Sequence, residues 1–267
     1  MSKLKQMATA TNLKFLAIFL MFLDHIHEMF LEMGAPTWLN MLGRLVFPIF
    51  LFLAADSFHY TSNRKQYMLR LLYMSWFMTI GNMIVGSFFS NGHVGLANNA
   101  FSTFFVTGIY ICSWDLLVKG VKDKSAKDFW KGLGLFFLPI FLAIPVLLAL
   151  SPAVLTSLSP LVARILVLVV SMIPNLLMVE GGFLFVLLGL LFYIFRENRL
   201  LQYLSLIAIA VICYLSEPTS VQWMMVFAIL PMALYNGQKG RGDKYFFYIF
   251  YPVHIYALYI LASLLGS

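Results

Sequence analysis

Apolar runs of about twenty residues recur from one end of the chain to the other, and a helix of that length spans a hydrocarbon layer of ~30 Å. Few folds accept such a sequence, because a buried apolar helix with no polar face must meet lipid or other apolar helices. Hydrophobic residues make up 61% of the 267 and charged residues only 11%, less than half the share of an ordinary soluble domain. The sequence therefore predicts an all-α, polytopic transmembrane helix bundle. Apolar segments fall at about 13–33, 39–58, 68–89, 98–118, 133–150, 160–178, 181–195, 200–216, 221–236 and 245–265. The first is too long and too charged for a removable leader and is expected to stay as the first span. No linker or internal repeat divides residues 1–267, so a single integral-membrane domain is expected.

Sixteen of the eighteen basic residues sit in five places: residues 1–14, 59–70 and 119–131, the pair Arg196 and Arg199, and "NGQKGRGDK". The loops "SNGHVGLANN", "SPAVLTSLSP" and "SEPTS" have no Lys or Arg. The positive-inside rule places the basic loops and the N-terminus in the cytoplasm, which explains the net charge of +7 without nucleic acid. Three apolar segments separate 119–131 from Arg196, yet both flanks belong inside, so one of the three should re-enter or lie flat. The stretch around Arg164 and Pro174, or the short one after "EGG", fits best. Nine or ten spans follow, with the C-terminus outside if the count is nine.

The polar residues inside these runs carry the functional signal. "LAIFLMFLDHIHEMFLEMG" holds Asp24, His25, His27 and Glu28 where lipid is expected, and each ionisable group there costs about 2.5 kcal/mol or more unless it faces protein or water. Lys14 and His25 are eleven residues apart, which returns to nearly the same helix face after a rise of ~16 Å. Lys14 then marks a cytoplasmic mouth, His25 lies near the midplane, and Glu28 continues the stripe. Asp24, as His25's neighbour in sequence, points elsewhere and should face another helix. Arg44 in "GRLVFPIF" needs a carboxylate, with Asp24 and Glu28 as candidates, or an anionic intermediate. Pro48 kinks that helix, and Asp56 lies near its inner end. His254, two residues after Pro252, stands ~14 Å deep, a depth close to that of His25.

Each of these residues also has a plain reading: His25 as a bundle histidine bonded across helices, Arg44 as a structural ion pair, His254 as a brace for the proline kink. Glu180 in "MVEGG" either lines a cavity or sits at an interface. Cys112 and Cys213 form neither a disulfide framework nor a metal motif, and no metal site is expected. No Walker loop, Rossmann fingerprint or His-Glu-x-x-His motif is present, which disfavours ATP-driven transport and zinc chemistry.

The blocks "LKFLAIFLMFLDHI", "GRLVFPIFLFLAADSFHYTSNRKQYMLRL" and "YNGQKGRGDKYFFYIFYPVHIY" resemble, in order, the signature segments of the TraX family, named for acetylation of conjugative pilin subunits. They cover about a third of the chain. That family is similar in turn to the wider group of membrane acyltransferases, whose hallmark of a basic residue, ten others and a histidine is matched by Lys14 and His25. Asp56-Ser57 stands where the family has Glu-Gly. The middle, 90–235, matches loosely apart from Glu180 and the Gln222-Trp223 neighbourhood.

The resemblance implies a bacterial plasma-membrane enzyme moving an acetyl group from cytoplasmic acetyl-CoA to an amine or hydroxyl acceptor: a peptide, a surface glycan or a lipid. His25 would be general base or acyl relay, Arg44 would steady the oxyanion, and His254 with Tyr251 would orient the acceptor. Lys14, Arg64, Arg70 and Lys244 would hold the donor's phosphates, and Glu28, Asp56, Glu180 and Asn236 complete the binding set. Two other classes stay open. A proton-linked transporter would use Asp24, His25, Arg44 and His254 as a relay. A non-catalytic partner of a conjugation or secretion apparatus would use the same groups for helix packing.

Overall fold

The computed structural model describes residues 8–89, 94–241 and 243–266, apart from the side chain at position 244. The described secondary structure is all helical. Six helices are long and apolar enough to cross a membrane: Thr37–Tyr60, Arg64–Phe88, Ala100–Lys122, Ala126–Ala149, Arg199–Ser216 and Tyr245–Leu265. Helix α1, Ala10–Phe30, has 21 residues and a length of ~31 Å, but its Lys14, Asp24, His25, His27 and Glu28 keep it outside that apolar group.

Nine or ten full spans are not reached on length. Pro160–Ser171, Gly182–Ile194 and Val221–Leu234 are all shorter apolar helices, within the range of 10–17 residues. The irregularity expected in one segment is thus spread over three. Between the first two of these helices the chain has no regular structure from Ile173 to Val179, where Asn175 folds an Asx turn by accepting from the backbone N–H groups of Leu177 and Met178. This irregular stretch lies between the two segments, around Pro174 and after "EGG", of which one was expected to re-enter or lie flat.

The chain divides into two compact units. One comprises Met1–Tyr60, Ile84–Leu96 and Leu191–Ser267; the other Thr61–Met83 and Ala97–Leu190. In the first, α1 packs against α2 (Thr37–Gly43), α3 (Val46–Tyr60) and the last helix, Lys244–Leu265. Thr9 caps α1 by accepting from the Asn12 N–H, and Gly34 in the left-handed region turns the chain out of the 3-10 turn Leu31–Met33. The joint between α2 and α3 falls at Arg44–Leu45, and Pro48, which lacks the N–H that would bond the Arg44 carbonyl, explains the break there.

The second unit holds α4 (Arg64–Phe88) as far as Met83, followed by the hairpin of α5 (Ala100–Lys122) and α6 (Ala126–Phe141). Gly120 sets how closely that hairpin closes, since a Cβ there would stand 2.5 Å from the Phe129 backbone nitrogen. α6 continues into α7 (Ala143–Ala149), then α8 (Pro152–Ser157), α9 (Pro160–Ser171) and α10 (Gly182–Ile194). α11 (Arg199–Ser216), a 3-10 segment Val221–Ala228, α12 (Ile229–Leu234) and α13 (Lys244–Leu265) complete the chain.

α1 and α13 run side by side in the same direction. Lys14 lies over the Phe247 ring at 5.6 Å, His25 meets His254, and Met33 sits beside Gly266 at the far end. The loop before α13 is clasped to the start of α1: the N–H groups of Ala10 and Thr11 donate to the carbonyls of Gln238 and Lys239, Asn236 N–H donates to Ala8, and the Thr11 hydroxyl reaches the Lys239 and Arg241 carbonyls.

Candidate active site

His25 and His254 are both 5% exposed, and α1 and α13 bring His25 Nδ1 to 2.7 Å from His254 Nε2. The rings stack with centroids 4.9 Å apart. His254 Nδ1 lies 2.7 Å from the Phe250 carbonyl, which only accepts, so that nitrogen carries the proton. In a neutral His254 ring Nε2 is then the acceptor, and His25 Nδ1–H donates to it. The consequence falls on His25: its Nε2 keeps the lone pair, held in one orientation by a carbonyl–imidazole–imidazole chain. A hydrogen bond across helices is what a merely structural histidine would make as well. The distinguishing feature is the basic nitrogen this bond leaves over, with Glu28 Oε2 at 3.7 Å to stabilise the imidazolium formed when Nε2 takes a proton. Tyr251 is buried beside both rings, with centroids 6.5 Å from His25 and 6.0 Å from His254.

Asp24 turns away from this pair, as adjacency on a helix requires, and meets Arg44. Arg44 Nη2 donates to both carboxylate oxygens at 2.8 and 3.1 Å, Nη1 to Gln222 Oε1 at 3.0 Å, and Nε to the Asn40 carbonyl at 3.3 Å. Gly43 makes the approach possible, since a Cβ at this position would lie 2.1 Å from Asp24 Cγ. With its charge matched and three of its nitrogens engaged, Arg44 locks α1, the α2–α3 joint and the 3-10 segment together. Its positive charge still acts on His25 at longer range.

Towards the other end of α1, Asp56 accepts from the Tyr235 hydroxyl at 2.9 Å, and Lys14 lies within electrostatic reach of Asp56 and Lys239. Asn236 belongs to the clasp, its Oδ1 accepting from Gln238 N–H. His27 fastens the turn after α1 through Nδ1 and the Ala35 carbonyl.

Three expected site residues lie in the second unit. Arg64 is paired with Asp115, Arg70 is half-buried, and Glu180 accepts the Asn99 N–H where α5 begins while its own carbonyl takes the Thr103 hydroxyl. Glu180 thus fastens the glycine turn to α5, favourably placed for the helix dipole. The Lys244 side chain lies outside the described residues. Among the described residues no three His, Cys, Asp or Glu side chains gather as a metal set. Cys112 and Cys213 are both free thiols. Gln222 and Tyr235, the partners of Arg44 and Asp56, entered the sequence reading only as parts of segments resembling a family, with no role assigned to either. A lone amide or phenol in an apolar segment carries no sign of which helix it will meet.

A family model described as "TraX protein" matches residues 9–262. Among curated proteins the chain is similar to one described as a probable fimbrial assembly protein, FimC of serogroup H1, from Dichelobacter nodosus. The two are 28% identical over 256 residues, covering 92% of this chain and 93% of the relative. No solved structure matches.

Proposed function

Since the chain belongs to the TraX family, we propose that it is a membrane acyltransferase that moves an acetyl group from cytoplasmic acetyl-CoA to an amine or hydroxyl acceptor at or across the membrane. The observation that supports this most is the lone pair on His25 Nε2, fixed by His254 and placed beside Glu28. In the proposed step the acceptor's nitrogen or oxygen attacks the thioester carbonyl carbon while His25 Nε2 removes its proton. The tetrahedral intermediate collapses with cleavage of the C–S bond, and the imidazolium returns the proton to the departing thiolate. His254 holds the reactive tautomer throughout, and Tyr251 lines the acceptor side. Arg44 contributes by bracing Asp24 and by its field at His25. Asp24 positions α1, so its role is support.

The test is direct. Membranes containing the protein are incubated with radiolabelled acetyl-CoA, and labelled products are separated and compared with membranes carrying His25→Ala. Label in a peptide, glycan or lipid fraction that disappears with the variant supports the proposal. Equal labelling in both removes it. The likeness to a protein described as a probable fimbrial assembly protein favours a second reading, a non-catalytic membrane partner in pilus assembly. On that reading His25→Ala and Asp24→Ala, which both remove contacts between helices, impair assembly, and wild type transfers no label from acetyl-CoA.

A further inference from the structure

Arg44, Arg64 and Arg196 each have a carboxylate within 4 Å, but Arg199 has none among the described residues. Its guanidinium is nevertheless held firmly. The Cζ atom lies 4.6 Å from the Phe52 ring centroid and 5.4 Å from that of Tyr235, so the cation is flanked by two aromatic rings. Nη1 donates to Gln202 Oε1 at 3.0 Å, and buried Gln202 is itself fixed by donating from Nε2 to the Phe192 carbonyl at 2.7 Å. Phe52 meets Tyr235 edge-on, and the Tyr235 ring is held in turn by its hydroxyl, which donates to Asp56. One edge of the guanidinium, Nε with Nη2, is given no partner among the described residues, and the residue is only half-buried. Arg199 also opens α11, where the helix dipole disfavours a cation by about 0.3–1 kcal/mol. Helix stability therefore does not account for this charge. The Nε–Nη2 edge is the one that grips a phosphate or carboxylate with two parallel hydrogen bonds.

We propose that Arg199, presented by Phe52, Tyr235 and Gln202, is a phosphate-ester subsite. That chemistry is shared by a nucleotide-bearing thioester and by a phospholipid headgroup. Identifying the occupant as the acyl donor rests on the acyltransferase reading; the subsite itself does not. Lys14 and Lys239 bring further positive charge to the same unit through the neighbourhood of Asp56. Arg64, expected from sequence to hold the donor's phosphates, is already occupied by Asp115. Arg199 takes over that role in the unit that contains His25.

The experiment uses the full chain in nanodiscs of phosphatidylcholine, with or without phosphatidylglycerol, and measures equilibrium binding of radiolabelled coenzyme A. Wild type, Arg199→Gln and Arg199→Lys are compared, and thermal unfolding midpoints identify any misfolded variant. Arg199→Gln is expected to weaken coenzyme A binding by about tenfold or more, and Arg199→Lys, which keeps the charge without the paired donors, by less. If coenzyme A binding is unchanged but Arg199→Gln loses co-purified phosphatidylglycerol, the subsite stands and its occupant is the lipid. Should folded Arg199→Gln and Arg199→Lys match wild type in both arms, the subsite is refuted. Arg199-dependent coenzyme A binding without acetyl transfer by wild type would overturn the acyltransferase reading alone.

Discussion

His25 and Asp24 show how one helix turn can carry two different kinds of polar residue. Arg44 is enclosed by Asp24, Gln222 and the Asn40 carbonyl, so removing either charge leaves the other poorly solvated. Asp24→Asn is expected to lower stability by about 3 kcal/mol, and Arg44→Lys to fail as a replacement because an ammonium cannot match the paired geometry. Thermal unfolding in detergent measures both. His254→Asn should reduce turnover less than loss of His25 does, because it frees the tautomer without deleting the base. The spacing of Lys14 and His25, the depth match with His254 and the need of Arg44 for a carboxylate were all legible in sequence, since helix geometry and the cost of a membrane-buried charge suffice for them. The tautomer was not. It follows from the Phe250 carbonyl, which only the folded α13 presents to His254.

At the scale of elements, Gly43 offers a test in which two effects have opposite signs. Gly→Ala inside a helix ordinarily stabilises by about 1 kcal/mol. Here the added Cβ collides with Asp24, so Gly43→Ala is expected to destabilise by about 1–3 kcal/mol, again seen as a lower unfolding midpoint. The clasp makes a second prediction: Thr11→Val removes the hydroxyl that holds the Lys239 and Arg241 carbonyls and should make the 236–241 loop more sensitive to protease, with α13 intact. The helices themselves were readable from apolar length, and the break between α2 and α3 from Pro48. The shortness of α10 was legible too, but that of α9 was not, because its apolar run continues through residues the chain folds irregularly around Asn175.

For the molecule as a whole, the parallel course of α1 and α13 fixes parity. If both cross the membrane, the number of crossings is odd and the ends of the chain lie on opposite sides. With the basic loops inside, a C-terminal fusion of alkaline phosphatase is expected to be active and a fluorescent protein there dark. The reverse pattern contradicts this topology. The most direct measurement of the central claim is single-turnover release of free coenzyme A thiol from acetyl-CoA by the reconstituted protein with membrane-derived acceptor, in wild type and His25→Gln. The account predicts a fall of about 10²–10⁴-fold in rate with coenzyme A affinity retained. An undiminished rate in folded His25→Gln would contradict it.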